Sequence, residues 1–270
     1  VIPVDGGEAR RVLGHSTSIS AYQWNPDDQQ VAFLATEPAA KEKKKLEKKG
    51  FKAEIYEENL RDVKLWIAAV PAPPGEKLKP LSLDGSASEL HWSSSGDQLV
   101  VALAPTPLID DHFMYRKLHI IDTKSGEVVR KINNPGKLGP VRWSPDDKHV
   151  AFCSGQDIHD PSPGRLMLAS TATGEYWEIL EDYPPNISHI GWRDPETLLF
   201  IADDSCDTVY GTVSVSGQDR RPLIEKGGPI LTSLSQAHDT STVAFTATSP
   251  EHPPEVFFFE SKSKKARRLT

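Results

Sequence analysis

Cysteine is nearly absent: Cys153 and Cys206 are the only two in 270 residues. A disulfide framework or a zinc centre asks for more ligands than this, so the pair reads as one buried and one surface thiol. Long apolar runs are missing too. No stretch approaches the ~20 residues that cross a bilayer, and no signal-like segment opens the chain. Positive charge is not in excess, because 31 Lys and Arg stand against 38 Asp and Glu for a net charge of -7. That leaves no basic field for nucleic acid. Neither nucleic acid nor membrane is expected as a partner, and no cofactor is expected. Catalytic signatures are lacking as well. The nearest approach to a G-x-S-x-G elbow, Gly14 to Ser18, has no final Gly, and no H-E-x-x-H occurs.

What the chain does have is one short phrase said five times. "LGPVRWSPDDKHVAFCS" (138–154) is echoed by "ISAYQWNPDDQQVAFLA" (19–35), "SELHWSSSGDQLVVAL" (88–103), "ISHIGWRDPETLLFIA" (187–202) and "LTSLSQAHDTSTVAFTA" (231–247). Trp24, Trp92, Trp143 and Trp192 stand in register, with Gln236 in the fifth place. A Gly-Glu or Gly-Gln pair precedes each, at Gly7, Gly75, Gly126, Gly174 and Gly217. The spacing from that Gly to the Trp position is 17, 17, 17, 18 and 19 residues, whereas from Trp to the next Gly it is 51, 34, 31 and 25. Constant spacing on one side predicts two strands and a fixed crossover, with length variation confined to one connection per repeat.

Each unit parses into four period-two runs, strands A to D, such as "GPVRW", "HVAFCS", "RLMLAS" and "YWEIL". The A–B turn is built on Pro-Asp-Asp and the C–D turn on Thr-Gly-Glu, whose Gly supplies positive φ. Four antiparallel strands repeated in this way predict an all-β fold, a β-propeller of four-stranded blades with WD-like or TolB-like repeats. A β-sandwich competes, but it would not reproduce one hairpin five times at fixed spacing. Residues 1–270 are read as one propeller domain: a half blade over 1–14, with "VIPV" as strand C and "ARRVL" as strand D, then five blades beginning near 19, 88, 138, 187 and 231. A chain that opens in mid-blade is expected to be part of a longer polypeptide, with open blade edges that invite self-association.

The tight A–B and C–D turns share one face, so interaction capacity is expected in the variable B–C loops on the other. The first of these carries a helical insertion near residues 37–50, with Thr36 as N-cap, Pro38 in the first turn and Gly50 as C′. Its lysines oppose the helix dipole at the C-terminal end. The other loops are acidic and contain histidine: Asp110, Asp111 and His112; Asp157, His159 and Asp160; Asp203, Asp204 and Asp207; and His252. Three readings stand side by side: solvated carboxylates, a docking or substrate-facing rim, and a metal centre. The last would gather His112, His159 and His252 around manganese or zinc, as in propeller lyases of pectic oligosaccharides.

"WNPDDQQVAFLATEPAAKEKKKLEKKGFKAEIYEENLRDVKLWIAAV" resembles an early propeller blade of the prolyl oligopeptidase family of serine peptidases, in its acylaminoacyl-peptidase-like and dipeptidyl-peptidase-like branch. There a Trp-Ser-Pro-Asp-Gly strand pair precedes a Lys-rich insertion, a Tyr-Glu-Glu segment and Leu-Trp. "VAFTATSPEHPPEVFFFESKSKKARRLT" is similar to the last blade before the hydrolase domain. The resemblance implies an α/β-hydrolase domain in the same polypeptide as partner, carrying Ser, Asp and His, and a propeller that gates access for peptide substrates. It also implies a candidate amine clamp, since paired propeller glutamates in dipeptidyl-peptidase members hold the substrate's free N-terminus. Glu57 and Glu58 match in composition. A stand-alone TolB-like propeller that binds protein partners is the other reading of this chain.

Overall fold

The period-two runs fold as their alternation requires. A computed structural model describes residues 1–71, 78–237, 242–260 and 265–270. Its contacts divide the chain into two units, Val1–Lys131 and Ile132–Thr270. In the first unit, β1 (Ile19–Trp24), β2 (Gln30–Thr36) and β3 (Val63–Ala69) form one antiparallel sheet, and helix α1 (Lys41–Lys48) lies between β2 and β3. β4 (Ser86–Trp92), β5 (Gln98–Ala104), β6 (Lys117–Asp122) and β7 (Val128–Ile132) form the next, with helix α2 (Ile109–Met114) between β5 and β6.

The second unit holds three sheets. The first is β8 (Leu138–Trp143), β9 (His149–Ser154), β10 (Arg165–Ser170) and β11 (Tyr176–Glu178). β12 (Asn186–Asp194), β13 (Thr197–Asp204), β14 (Asp207–Ser214) and β15 (Arg221–Ile224) follow. In the last, β16 (Ile230–Leu231) and β17 (Ser235–Gln236) both pair with β18 (Thr242–Ser249), followed by β19 (His252–Glu260) and β20 (Lys265–Arg268). The fold is that of a β-propeller, and each sheet is a blade built in sequence order from inner to outer strand.

The tryptophans occupy one place in the repeat. Trp24 faces Val31, Trp92 faces Leu99, Trp143 faces Val150 and Trp192 faces Leu198 across the first hairpin of each blade. Before each Trp the inner strand shifts register, between Ile19 and Ala21, Ala87 and Leu90, Leu138 and Val141, and Ile187 and His189. The reason is geometric. Positions five and two before the Trp are three apart, and strict alternation would send them to opposite faces of the sheet. The bulge returns both to one face, so Ala87 joins Leu90, and Ile187 joins Ile190, in the same core clusters.

Second strands of the first four blades are buried on both faces, which is why they read as nearly unbroken apolar runs, whereas β18 alternates buried and half-buried residues. In β13, Leu198, Phe200 and Ala202 pack into one cluster, while Leu199 and Ile201 pack into another with Val243 and Phe245 of β18. Inner strands are also tied to the preceding blade by side chains. Trp92 Nε1 donates to the Gln23 carbonyl at 3.0 Å, and Trp192 Nε1 to the Arg142 carbonyl at 3.3 Å. Gln236 takes over this duty in the last blade, its Nε2 donating to the Trp192 carbonyl at 2.6 Å. That explains how the fifth copy keeps its frame without a Trp.

Turn chemistry follows the sequence closely. Asp28, Gly96 and Asp147 hold the same turn position with φ of 59°, 76° and 61°. Asp is one of the few residues besides Gly that visits this region. Gly126, Gly174 and Gly217 supply φ of 75°, 81° and 77° in the C–D turns; the Gly75 turn falls outside the described residues.

Four local expectations are corrected. The 1–14 segment is no pair of regular strands: Val1 and Arg10 exchange both backbone hydrogen bonds, at 2.9 and 2.8 Å, around a turn at Pro3–Gly6, and no further pairing follows. Residues 1–11 are exposed, and two strands without a buried face are marginal in water. The pairing of the outer strand of the blade begun by β1 consists, among the described residues, of one bond from Leu81 N–H to the Leu65 carbonyl. The N-cap of α1 is Ala40, not Thr36, which ends β2. The acidic loop at 109–114 is a helix, its approach fixed by Thr106, whose Oγ1 donates to Asp111 at 2.6 Å and accepts from the Leu108 N–H.

Both thiols are free, Cys153 buried and Cys206 exposed, and burial pushes the Cys153 thiol up to about 12. A disulfide-exchange reagent at neutral pH is therefore expected to label Cys206 alone in the native protein. Cys153 should react only on the timescale of unfolding. Equal fast labelling of both, counted by mass, would contradict the packing of β9.

Candidate functional site

The insertion between β2 and β3 is closed at its neck and open at its tip. Thr36 pairs with Val63 as the last rung of the ladder, the Glu37 N–H donates to the Asp62 carbonyl at 2.9 Å, and Arg61 Nη1 donates to the Glu37 carbonyl at 2.6 Å. Beyond the neck, α1 forms because Lys, Glu and Leu are good helix formers and no β-branched residue interrupts them. Glu42 lies in its first turn and Lys45 and Lys48 in its last, each complementing the helix dipole. Gly50, at φ +94°, ends it in a Schellman arrangement: its N–H donates to the Glu47 carbonyl at 3.0 Å and the Phe51 N–H to the Leu46 carbonyl at 3.1 Å. The chain then returns to the neck through an Ile55–Glu58 turn, with positive φ at Glu57 within it and at Asn59 just after it.

This path builds a cleft of about 620 Å³ lined by Lys43, Glu54, Glu57, Glu58, Arg61 and, from the α2 side, Ile109. Three carboxylates line it, together with Lys43, 3.7 Å from Glu54, and with Arg61, which donates at the neck. Glu57 and Glu58 are exposed, so a single ion pair there is weak. Leu60, Arg61, Pro107 and Ile109 also line a second cleft of about 430 Å³, which reaches Ser20, Ser86, Ser88 and His112 near the inner strands β1 and β4. The two clefts share a wall and run as one groove along the B–C connections of successive blades.

His112 therefore lies in the same groove as the glutamates. Burial pushes its imidazole below the usual histidine range, the Arg116 guanidinium acts in the same sense, and Glu89 opposes both. Its ring stands edge-on to Phe113 at 5.3 Å. The other two histidines have local roles. His159 is exposed in the β9–β10 connection, its N–H donating to Asp157 Oδ1 at 2.8 Å. His252 opens β19 with Nδ1 2.8 Å from the Pro253 carbonyl. Among the described residues no group of three or more His, Cys, Asp or Glu is gathered closely enough to hold a metal ion. Nor is any helix among them long and apolar enough to cross a membrane.

Lys43, Glu54 and Arg61 went unread in the sequence. The signal was available for Arg61: it sits at the return of a long insertion, where the neck needs a donor for the carbonyl opposite. The groove offers anionic oxygens for a cation or a free amine, donors for a carbonyl or carboxylate, and an apolar wall. Among its lining residues there is no Ser–His–Asp arrangement.

No protein-family model matches the chain. In structure it is similar to a prolyl endopeptidase, with a TM-score of 0.70 and 13% identity over 99% of this chain and 37% of that one. It is similar to a puromycin hydrolase, with a TM-score of 0.69 and 16% identity over 98% and 40% of the two chains. It also resembles TolB from Acinetobacter baumannii, with a TM-score of 0.54 and 15% identity over 77% and 49%. The chain thus spans less than half the length of each of these proteins. At such identities what is shared is the fold, a β-propeller of the type that prolyl endopeptidase, puromycin hydrolase and TolB have in common.

Proposed function

We propose that this chain is the non-catalytic, substrate-gating propeller of a serine peptidase of the prolyl oligopeptidase family, whose α/β-hydrolase domain is carried elsewhere in the same polypeptide. One observation carries the reading: nearly the whole chain matches 37% and 40% of two hydrolytic enzymes, while its own sequence contains no nucleophile elbow. The groove supports the same reading from below. Peptide substrates would enter along the B–C face, where Glu57 and Glu58, backed by Glu54, accept charge-assisted hydrogen bonds from a free amino terminus. Arg61 on the shared wall offers a donor to a peptide carbonyl.

The test uses the natural-length polypeptide with free-amine and N-acylated chromogenic dipeptides. E57Q combined with E58Q is expected to raise KM for the free-amine substrate about tenfold, the loss of one charge-assisted contact, and to leave the acylated substrate unchanged. The 270-residue chain alone should show no turnover. A polypeptide without a G-x-S-x-G elbow would end the peptidase reading. It would favour a TolB-like module that binds protein partners, which the likeness to TolB supports.

A further inference from the structure

The two clefts that run together along the B–C connections are opposite in chemistry. The outer one, at the insertion, carries the acceptors: Glu54, Glu57 and Glu58 all line it. The inner one, of about 430 Å³, has no carboxylate among its described lining residues. It presents hydroxyls instead, those of Ser20, Ser86, Ser88 and Thr106, together with His112 and with Arg61 on the wall shared by both clefts.

Which hydroxyls remain able to donate follows from the bonds they already make. Thr106 Oγ1 donates to Asp111 at 2.6 Å and Ser20 Oγ to the Leu34 carbonyl at 3.2 Å. Ser86 and Ser88 accept instead: Ser86 Oγ from the Val63 N–H at 3.1 Å, Ser88 Oγ from Arg116 Nη1 at 3.2 Å. A hydroxyl that receives a hydrogen bond keeps its own hydrogen to give, and one bonded by a guanidinium gives it more strongly. Neither of these hydrogens meets an acceptor among the described residues. The two serines stand two apart at the start of β4, so alternation sends both to the same side. Ser86 is only 9% exposed, and an unmet hydrogen there carries a desolvation cost that a ligand's oxygen relieves. Glu89 offsets part of the Arg116 charge, but it does not line the cleft.

We infer that the inner cleft is a subsite for a carboxylate of the peptide, held by the Ser86 and Ser88 hydroxyls with the Arg116 guanidinium behind Ser88. The inference rests on the proposed peptide-binding role of the groove and extends it from the amine to a second charged group of the substrate. Hydroxyl bonds to a carboxylate are charge-assisted, so they favour the ionised acid over a neutral amide of the same shape. With acceptors at its outer end and donors at its inner end, the groove complements a peptide bearing an amine at one end and a carboxylate further along. That carboxylate is either the C-terminus of a short peptide or an Asp or Glu side chain.

Isothermal titration of the 270-residue chain tests it without any hydrolase activity. The probes are tri-alanine as free acid and as C-terminal amide, each with a free and an acetylated amino end. Amidation is expected to weaken binding about tenfold, whichever way the amino end is capped. A second pair, Ala-Asp-Ala amide against Ala-Asn-Ala amide, separates the two sources. A preference for Asp there, with acid and amide of tri-alanine alike, assigns the subsite to an acidic side chain. S88A should lower the affinity for the carboxylate form several-fold more than that for the neutral one, and an equal loss for both counts against the subsite. No carboxylate preference in either pair overturns the inference, and if acetylation still weakens binding the amine contact survives it. A carboxylate preference without any effect of acetylation supports the subsite and removes the amine contact. Absence of binding by every probe overturns both.

Discussion

Replacing Phe200 by alanine lowers the unfolding free energy by about 3–5 kcal/mol, the range for deleting a buried aromatic ring from a core that cannot collapse. Phe200 is fully buried at the centre of β13, opposite Ile190 on one side and Gly211 on the other. Its ring lies in the cluster with Leu166, Leu168 and Leu198 and stands edge-on to Tyr183 at 5.9 Å. A Cβ on Gly211 would meet the Phe200 ring at 3.0 Å, so the ring fills the room that the glycine leaves. With strands held by ladders on both sides, nothing can move in to replace it. Urea unfolding of F200A measures the loss, and a cost below about 1.5 kcal/mol would mean that the site relaxes. G211A should be better tolerated in the F200A background than alone.

A loss of about 2–3 kcal/mol is expected for Gly217→Ala, combining left-handed backbone strain with a steric clash. Gly217 turns between β14 and β15 at φ +77°, and a Cβ there would lie 2.3 Å from the Ile179 carbonyl oxygen of the neighbouring blade. That oxygen is backbone and cannot swing aside. Gly227 is the internal control: its φ is +92°, but nothing lies within 4 Å of a Cβ built on it. G227A should therefore cost only the conformational part, about 1–2 kcal/mol. Equal losses in the two variants, compared by chemical denaturation, would show that the contact between blades contributes nothing.

How much of this was legible depended on range. Period-two alternation, Pro-Asp-Asp turns and glycines at positive φ act over a few residues, and they located the blades, the Trp frame and the variable B–C connections. The register shift before each Trp was written in the spacing of Ile187 and Ile190, three apart yet both apolar, but only a known core side makes that spacing informative. The α2 helix escaped because six residues without a side-chain N-cap carry almost no periodic signal. In the groove, Glu57, Glu58 and His112 were visible as chemistry-bearing residues. Their joining along one wall was not, because Arg61 and Ile109 meet through the closure of the neck and the approach of α2, both set by tertiary packing.

The neck itself separates two kinds of inheritance. Because the Thr36–Val63 rung and the Glu37–Asp62 bond close the excursion at its root, the blade's register is blind to what lies beyond. Closing a longer or shorter excursion there changes the entropy cost only slowly, by roughly 0.6 kcal/mol per doubling of its length. Insertions, deletions and wholesale replacement at 38–60 can thus accumulate while the strands around them stay fixed. The lineage of the scaffold and the lineage of its recognition chemistry can then diverge at different rates, and a graft of a foreign loop at Glu37 and Asp62 should be accepted as readily as the native one.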